Sequence, residues 1–359
     1  MIGVESRSGS YEVVCRWGAL ADLGARLAGL GMSGSAFVIS DEHVAKHHGD
    51  AALASLTSAG FTADLCAIRA GEAYKNLDTV RGVYDWLLER GAERASPMIA
   101  LGGGVTGDLA GFVAATYLRG VPFVQCPTSL LAMVDASIGG KVGVDHARGK
   151  NLIGAFYPPR IVISDPSLLA TLPPRALRDG AAEAIKHALI MDPQMLDVIE
   201  DGVGRLLALE PDFMTEFVAR NAALKAAIVS QDEREGGLRM ILNYGHTTAH
   251  ALEAVTGYTK LMHGEADSIG MMVAAEIGRR MGITPAGIGE RQARIFERYD
   301  LPRTISGIDR EAVYAAMAFD KKVSAKQLRW ILLEDFGKPV IRSDVPEEVV
   351  RAVLAEHLP

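Results

Sequence analysis

Short apolar runs alternate with segments of helical composition through the first half of the chain. The runs are rich in valine, isoleucine and leucine, and they lie at 35–40, 65–68, 98–101, 123–126 and 161–164. Alanine- and leucine-rich segments separate them, a pattern typical of buried parallel strands covered by helices. We therefore predict an α/β domain with a parallel, Rossmann-like sheet over residues 1–170.

The pattern changes after the break at Thr171-Leu-Pro-Pro174. Helical periodicity dominates the segments 175–190, 195–209, 211–231, 241–255 and 265–281. We therefore predict an all-α domain over residues 171–359.

Composition narrows the class of protein only slightly. The 359 residues are 49% hydrophobic and 23% charged, and the net charge is −7, so nothing favours nucleic acid or an anionic membrane as a partner. Cys15, Cys66 and Cys126 are scattered and odd in number, which favours a reducing compartment. With no leader pattern at the start and no apolar run long enough to span a bilayer, we expect a cytoplasmic protein.

A glycine turn follows the run at 98–101 and precedes a helical segment at 108–117. Gly102, Gly104 and Gly107 match the spacing G-x-G-x-x-G. Such a turn leaves backbone N–H groups at a helix N-terminus, where a phosphate can bind. A simple tight turn would give the same local pattern, but the many polar residues that follow, interleaved with apolar runs, favour a binding site.

An acidic residue ends the first apolar run. Asp41 comes directly after residues 35–40. In nucleotide-binding α/β folds an acid at this point accepts hydrogen bonds from a ribose and repels a 2′-phosphate, which favours NAD over NADP. The alternative is that Asp41 only caps a helix beginning near Glu42.

Residue types that bind metals recur in three segments of the second half. GAAEAIKHALI contains Glu183, LNYGHTTAHALE contains His246 and His250, and LMHGEAD contains His263. The two histidines of the second segment share a helix face, but the H-E-x-x-H general base of metalloproteases is missing. Two imidazoles and one carboxylate would leave a coordination position open, as in catalytic zinc sites. Histidines buried in a helical core remain the alternative.

Four segments carry a specific resemblance. GGGVTGDLAGF, TYLRG, PTSLLAMVDASIGGK and GKNLIGAF resemble signature segments of the 3-dehydroquinate synthases and, more broadly, of the sugar-phosphate cyclases. The resemblance continues to about Lys322 and implies a dehydroquinate synthase-like fold.

The resemblance also implies site residues. The implied ligands of Zn²⁺ or Co²⁺ are Glu183, His246 and His263. The implied contacts of NAD are Asp41, Glu72, Lys75, Gly102, Gly103, Gly104, Asp108, Thr128, Ser129, Asp135, Lys150, Thr171 and Leu172. The implied substrate contacts are Arg119, Lys141, Asn151, Lys186, Lys225, Arg239, Asn243, His250, Lys321 and Lys322, and the implied catalytic residues are Asp135, Lys141, Lys186, Arg239 and His250.

The implied reaction converts 3-deoxy-D-arabino-heptulosonate 7-phosphate, a sugar-acid phosphate, to 3-dehydroquinate and phosphate. NAD would be oxidant and reductant in turn, and a homodimer is implied because Arg119 would reach a neighbouring subunit's site. His250 and the GKN at 149–151 favour this substrate over sedoheptulose 7-phosphate or glucose 6-phosphate. A metal-dependent polyol or glycerol-phosphate dehydrogenase would also fit these residues, and so would a catalytically silent protein that binds NAD or a metal.

Four positions depart from the family pattern. This chain has Val142 where the family commonly has threonine, His43 where it often has asparagine, Ala176 where it frequently has glutamate and Ala249 where it has glycine. The first three adjoin implied cofactor contacts, so we expect an altered affinity for NAD.

Overall fold

The structure is a computed structural model that describes residues 1–324 and 328–359, with side chains described outside 318–327. Its strands are β1 (Ile2–Val4), β2 (Tyr11–Cys15), β3 (Ser35–Asp41), β4 (Thr62–Ile68), β5 (Met98–Gly102), β6 (Phe123–Pro127), β7 (Lys141–His146), β8 (Gly149–Phe156), β9 (Ile161–Ser164), β10 (Trp330–Asp335) and β11 (Lys338–Arg342).

The α-helices are α1 (Leu23–Gly29), α2 (Glu42–Val44), α3 (Asp50–Ser58), α4 (Leu77–Glu89), α5 (Gly104–Thr116), α6 (Pro174–Met191), α7 (Pro193–Asp201), α8 (Val203–Leu207), α9 (Pro211–Gln231), α10 (His246–Val255), α11 (His263–Arg280), α12 (Ala286–Arg298), α13 (Arg310–Ser324) and α14 (Glu347–His357). Short 3-10 or π segments lie at Ala19–Asp22, Ala45–Gly49, Glu72–Tyr74, Tyr117–Arg119, Ala132–Ala136, Pro166–Thr171 and Leu238–Asn243. Within the described residues, no helix combines the length and apolar character that a bilayer crossing requires.

The chain forms two compact units. The first comprises 1–173 and 208–234, and the second comprises 174–207 and 235–359. Helix α9 falls in the first unit because Ala222, Ala226 and Val229 share a core cluster with Val13 and Val162 of the sheet. The domain boundary after residue 170 stays a prediction.

A seven-stranded sheet is the centre of the first unit. Its order is β1-β2-β9-β6-β5-β3-β4, and every neighbouring pair is parallel except β1 and β2. The five apolar runs all became strands of this sheet, so the predicted parallel α/β architecture is confirmed. Because the carboxyl ends of parallel strands meet at one edge, Asp41 at the end of β3, the glycines from the end of β5 onward and Thr128 after β6 lie at the same edge.

A separate hairpin, β7-β8, was missed by the sequence analysis. It packs on α5, where an added Cβ on Gly111 would lie 2.3 Å from Val142, so only glycine allows this approach. Val142 and Val144 are buried in the same core cluster as Val113 and Phe123. The cause of the missed prediction is that a hairpin depends on its pairing partner more than on local composition.

The second unit is mainly helical. The prediction of an all-α domain was wrong in one respect, because β10 and β11 pair as an antiparallel hairpin there. Helices α6, α10 and α11 approach closely at glycines. An added Cβ on Gly264 would lie 2.1 Å from the Asp179 carbonyl oxygen, and one on Gly270 would lie 2.1 Å from the Gly245 carbonyl oxygen.

Candidate functional site

The metal-type residues of the second unit converge on one point. Glu183 lies on α6, His246 is the first residue of α10 and His263 is the first residue of α11. Oε1 of Glu183 is 3.3 Å from Nε2 of His263 and 3.7 Å from Nε2 of His246. Together with Asp267, these side chains offer four ligand atoms that all lie within 4.8 Å of one another. The structure therefore brings the three implied ligands together.

The start of α11 is fixed by three acidic or basic side chains. Asp179 Oδ1 accepts hydrogen bonds from the N–H groups of Gly264 at 2.6 Å and Glu265 at 3.3 Å. Glu265 accepts a hydrogen bond from the N–H of Met262 at 2.9 Å. Both oxygens of the Glu265 carboxylate also accept hydrogen bonds from the guanidinium group of Arg175. These caps satisfy backbone donors that the helix cannot satisfy itself and set the direction of His263.

Charge in this cluster favours a cation. Glu183, Glu253 and Asp267 are buried carboxyl groups, and Lys186 forms an ion pair with Glu183. Burial raises the pKa of the Glu183 carboxyl, but Lys186 and His263 outweigh it and lower the pKa to about 2. Glu183 is thus an anion over the whole useful pH range. Buried carboxylates need a compensating positive charge, and carboxylate with imidazole is a donor set that Zn²⁺ and Co²⁺ accept.

The two imidazoles differ in basicity. Burial and Lys186 hold the pKa of His246 well below its ordinary value. Burial also opposes protonation of His263, yet Asp267 and Glu183 together raise the pKa of His263 well above its ordinary value. In the absence of an ion, a proton on His263 therefore supplies part of the positive charge that the carboxylates need.

Of the other implied residues of the second unit, Lys186 pairs with Glu183 and His250 lies beside His246. Lys186 is 1% exposed and Arg239 is 3% exposed, whereas His250 is exposed, with its ring centroid 5.1 Å from that of His246. Asn243 donates to Glu235 Oε1 at 2.7 Å, and the sequence analysis did not identify Glu235. Lys321 and Lys322 lie outside the residues whose side chains the structure describes.

In the first unit, the glycine turn forms the predicted open helix N-terminus. Gly103 is the N-cap of α5, and no side chain caps it. Nearby, the Thr128 N–H donates to the Gly102 carbonyl at 2.9 Å, and the site of an added Cβ on Gly103 is 3.4 Å from Ser129 Oγ. A helix N-terminus that no side chain caps and that has no Cβ in front of it fits a pyrophosphate.

Asp41 caps a helix, which was the alternative interpretation. Its Oδ1 accepts hydrogen bonds from the N–H groups of His43 and Val44 at 3.0 and 3.1 Å. Oδ2 is 3.4 Å from Thr106 Oγ1 on α5. The capping role does not exclude a second hydrogen bond from a ribose to Oδ2, and that contact stays a prediction.

A second polar cluster joins distant parts of the first unit. Lys75 is 4% exposed, and its Nζ donates to Asp108 Oδ2 at 2.6 Å and to Asn151 Oδ1 at 2.5 Å. Lys150 Nζ is 3.5 Å from Glu72 Oε1. Burial opposes charge on Lys75, but Asp108 outweighs it and raises the pKa of the ammonium group. Five implied residues from α5, β8 and the segment after β4 are therefore neighbours.

The remaining implied residues of the first unit are more dispersed. Lys225 on α9 binds the side chain and the backbone carbonyl of Asp135, the latter at 2.6 Å. Lys141 at the start of β7 is exposed. Thr171 Oγ1 is 2.8 Å from His48 Nε2, and Leu172 follows it directly. Arg119 is exposed, and its φ of 68° and that of Leu118, 48°, are uncommon for residues with a side chain.

Alanine in place of Gly264 should separate α6 from α11. The added methyl group would meet the Asp179 carbonyl at 2.1 Å and the Ala182 side chain at 2.9 Å. We expect a loss of about 1–3 kcal/mol in stability and a weaker hold on Zn²⁺. Thermal melting and bound-zinc analysis measure both. Gly287→Ala is the matched control, because Gly287 has open space around its Cβ position; equal effects of the two substitutions would contradict the close-approach argument.

Comparisons with known proteins identify the family of the chain. Residues 65–179 match the family profile of the 3-dehydroquinate synthase N-terminal domain, and residues 180–323 match that of the 3-dehydroquinate synthase C-terminal domain. The chain is 43% identical to the 3-dehydroquinate synthase of Nostoc punctiforme over 99% of this chain and 98% of that protein.

Solved structures of sugar-phosphate cyclases have the same fold. ValA, a 2-epi-5-epi-valiolone synthase from Streptomyces hygroscopicus with NAD⁺ and Zn²⁺ bound, is 28% identical with a TM-score of 0.90, over 98% of this chain and 97% of that one. A 2-deoxy-scyllo-inosose synthase complexed with carbaglucose-6-phosphate, NAD⁺ and Co²⁺ is 26% identical with a TM-score of 0.90, over 99% of both chains. On the full-length match and the two family profiles, this chain belongs to the 3-dehydroquinate synthase family.

Proposed function

We propose that this chain is an enzyme of the shikimate pathway, a carbon–oxygen lyase that converts 3-deoxy-D-arabino-heptulosonate 7-phosphate to 3-dehydroquinate and phosphate. The observation that carries the proposal is the convergence of Glu183, His246 and His263 in a member of this family. The identity of 43% to a relative named 3-dehydroquinate synthase, against 28% and 26% to the two other cyclases, supports this substrate over theirs.

NAD and a divalent ion, Zn²⁺ or Co²⁺, are the proposed cofactors. The ion would be held by Glu183, His246 and His263, and the NAD pyrophosphate by the N-terminus of α5 at Gly103 and Gly104. When bound, the ion would supply a Lewis acid for the substrate hydroxyls, and NAD would supply a reversible hydride acceptor, so that no net oxidation would occur.

The proposed substrate is a dianionic phosphate with a carboxylate, and the chain offers matching cations. Lysine and arginine bind both groups by charge-assisted hydrogen bonds. The proposed substrate contacts are Arg119, Lys141, Asn151, Lys186, Lys225, Arg239, Asn243 and His250. Lys186 and Arg239 are almost fully buried, so an anion beside them would be shielded from water and strongly bound.

The elimination step needs a base and a leaving group. Once the neighbouring hydroxyl is a ketone, the adjacent C–H is acidic, and its electrons form the C=C bond as the C–O bond to phosphate breaks. We propose that a phosphate oxygen takes the proton, with His250 and the lysines holding the phosphate in position. After the ketone has been reduced back to the alcohol, the enol pyranose that remains opens and recloses by intramolecular aldol addition, which forms the carbocycle.

Incubation with each candidate substrate tests the proposal. Phosphate release and the mass of the ring product should appear with 3-deoxy-D-arabino-heptulosonate 7-phosphate, NAD⁺ and Zn²⁺. Turnover of sedoheptulose 7-phosphate or glucose 6-phosphate instead would assign the chain to another cyclase activity. Accumulation of NADH would indicate a dehydrogenase, and no phosphate release from any of the three would overturn the proposal.

Zinc binding should release a proton. The pKa of His263 is held well above its ordinary value chiefly because Asp267 and Glu183 outweigh the effect of burial. A metal ion can bind Nε2 of His263 only after the proton on this nitrogen has left. Glu183 and His246 carry no competing proton near neutrality. We expect about one proton released per Zn²⁺ at pH 7, and affinity that falls as the pH is lowered. Titration calorimetry in buffers of different ionisation enthalpy measures the number of protons released per Zn²⁺. A value of zero would contradict the assignment of His263 as a ligand that is protonated before the metal binds.

A cytoplasmic homodimer completes the proposal. Leu152 and Phe156 on β8 are 63% and 39% exposed, and Arg119, also exposed, has the implied role at a neighbouring site. Light scattering of the purified protein tests the dimer, and a monomer at working concentration would refute it.

A further inference from the structure

Asp267 is the fourth acidic or imidazole side chain of the metal cluster, and neither the sequence pattern nor the family resemblance assigned it a role. It lies one turn after His263 on α11 and is 0% exposed. Oδ1 of Asp267 is 3.1 Å from Nδ1 of His246, and Oδ2 is 3.3 Å from Nε2 of His263. One carboxylate therefore faces both imidazoles.

These short distances are not hydrogen bonds. Among the described residues, neither oxygen of Asp267 has a hydrogen-bond partner, because the ring nitrogens approach at unsuitable angles. Glu253 behaves differently: its Oε1 lies 3.3 Å from Nδ1 of His263 in hydrogen-bonding geometry. Glu253 is thus the kind of outer carboxylate that orients a ligating histidine, whereas Asp267 is not.

A fully buried carboxylate without a hydrogen bond is costly unless a cation is beside it. Two donors bound to one four-coordinate Zn²⁺ are about 3.3 Å apart, given bonds of about 2.0–2.1 Å. Oδ2 of Asp267 and Oε1 of Glu183 each lie 3.3 Å from Nε2 of His263. Asp267 therefore has the separation expected of a ligand to the same ion.

We propose that Asp267 is a fourth protein ligand of the divalent ion, through Oδ2. The inference rests on the metal centre proposed above and goes beyond its three ligands. Two carboxylates and two imidazoles neutralise a dication, so the resting ion is held by the protein alone, and substrate oxygens bind by expansion of the coordination number.

The first test is metal binding by Asp267→Asn, which keeps the size and removes the charge. We expect Zn²⁺ affinity, measured by competition with a chelating dye, to fall by more than about 100-fold, beyond the range typical of outer carboxylates. With Co²⁺, the visible bands of the four-coordinate ion should change in position and intensity, because a neutral oxygen ligand replaces the carboxylate. Glu253→Gln is the matched control, expected to lose affinity with its cobalt spectrum unchanged.

A second variant tests the same ligand independently, because it should add an absorption band that wild type lacks. Asp267→Cys places a thiolate at the proposed ligand position, so its Co²⁺ complex should show a sulfur-to-cobalt charge-transfer band in the near ultraviolet. Wild type should lack the band, since its cysteines lie elsewhere. Absence of this band, or an unchanged cobalt spectrum in Asp267→Asn, overturns the fourth ligand. Failure of wild type to bind Co²⁺ would instead overturn the metal centre itself.

Discussion

Glutamine in place of Glu183 should strip the protein of its divalent ion and lower turnover by more than about 10³-fold. Glu183 is 0% exposed, and its carboxylate lies within 3.7 Å of the facing nitrogens of both histidines. Glutamine keeps the volume but removes the negative charge. Because a Lewis-acid metal contributes several kcal/mol to transition-state stabilisation, its loss is worth about three powers of ten in rate.

Bound zinc per chain and the rate of phosphate release measure the two effects together. The matched control is Glu276→Gln on the outer face of α11, where the carboxylate pairs with Arg279 and Arg280. We expect this control to keep zinc and turnover, because surface ion pairs contribute little. A Glu183→Gln enzyme with full zinc and normal turnover would refute the metal centre.

The sheet could be predicted because its signal is local. Strands buried on both faces read as continuous apolar runs, and the run at 161–164 became β9 with the same bounds. The two hairpins could not be predicted in this way. β8 alternates exposed and half-buried positions with two glycines, and its order depends on pairing with β7 and on contact with α5.

The metal cluster was only partly visible in the sequence. Glu183, His246 and His263 could be selected because the resemblance named them, and the structure brings them together. Asp267 and Glu253 carry no motif. Asp267 is four residues after His263, so the shared helix face was a usable signal, whereas Glu253 meets His263 only through the turn between α10 and α11.

Alanine in place of Lys186 should separate the electrostatic role of this residue from its role in turnover. Lys186 and Glu183 form an ion pair in which both side chains are almost completely buried. Removal of Lys186 leaves the buried Glu183 carboxylate with only the His263 proton to compensate its charge, and breaking a buried ion pair costs about 3–5 kcal/mol. In the metal-free protein we therefore expect a marked fall in melting temperature.

The zinc-loaded variant should behave differently, because the ion replaces the missing positive charge beside Glu183. Its melting temperature should recover most of the loss, and its zinc content should stay close to that of wild type. Turnover should still fall by more than about 10²-fold, since a charge-assisted bond to the substrate anion is lost in a buried site.

Melting with and without Zn²⁺, together with phosphate release, distinguishes these effects. Lys338→Ala, at an exposed ion pair with Asp335, is the control. Equal destabilisation in both metal states would mean that Lys186 and the ion do not share the Glu183 carboxylate, and normal turnover would remove Lys186 from the substrate site.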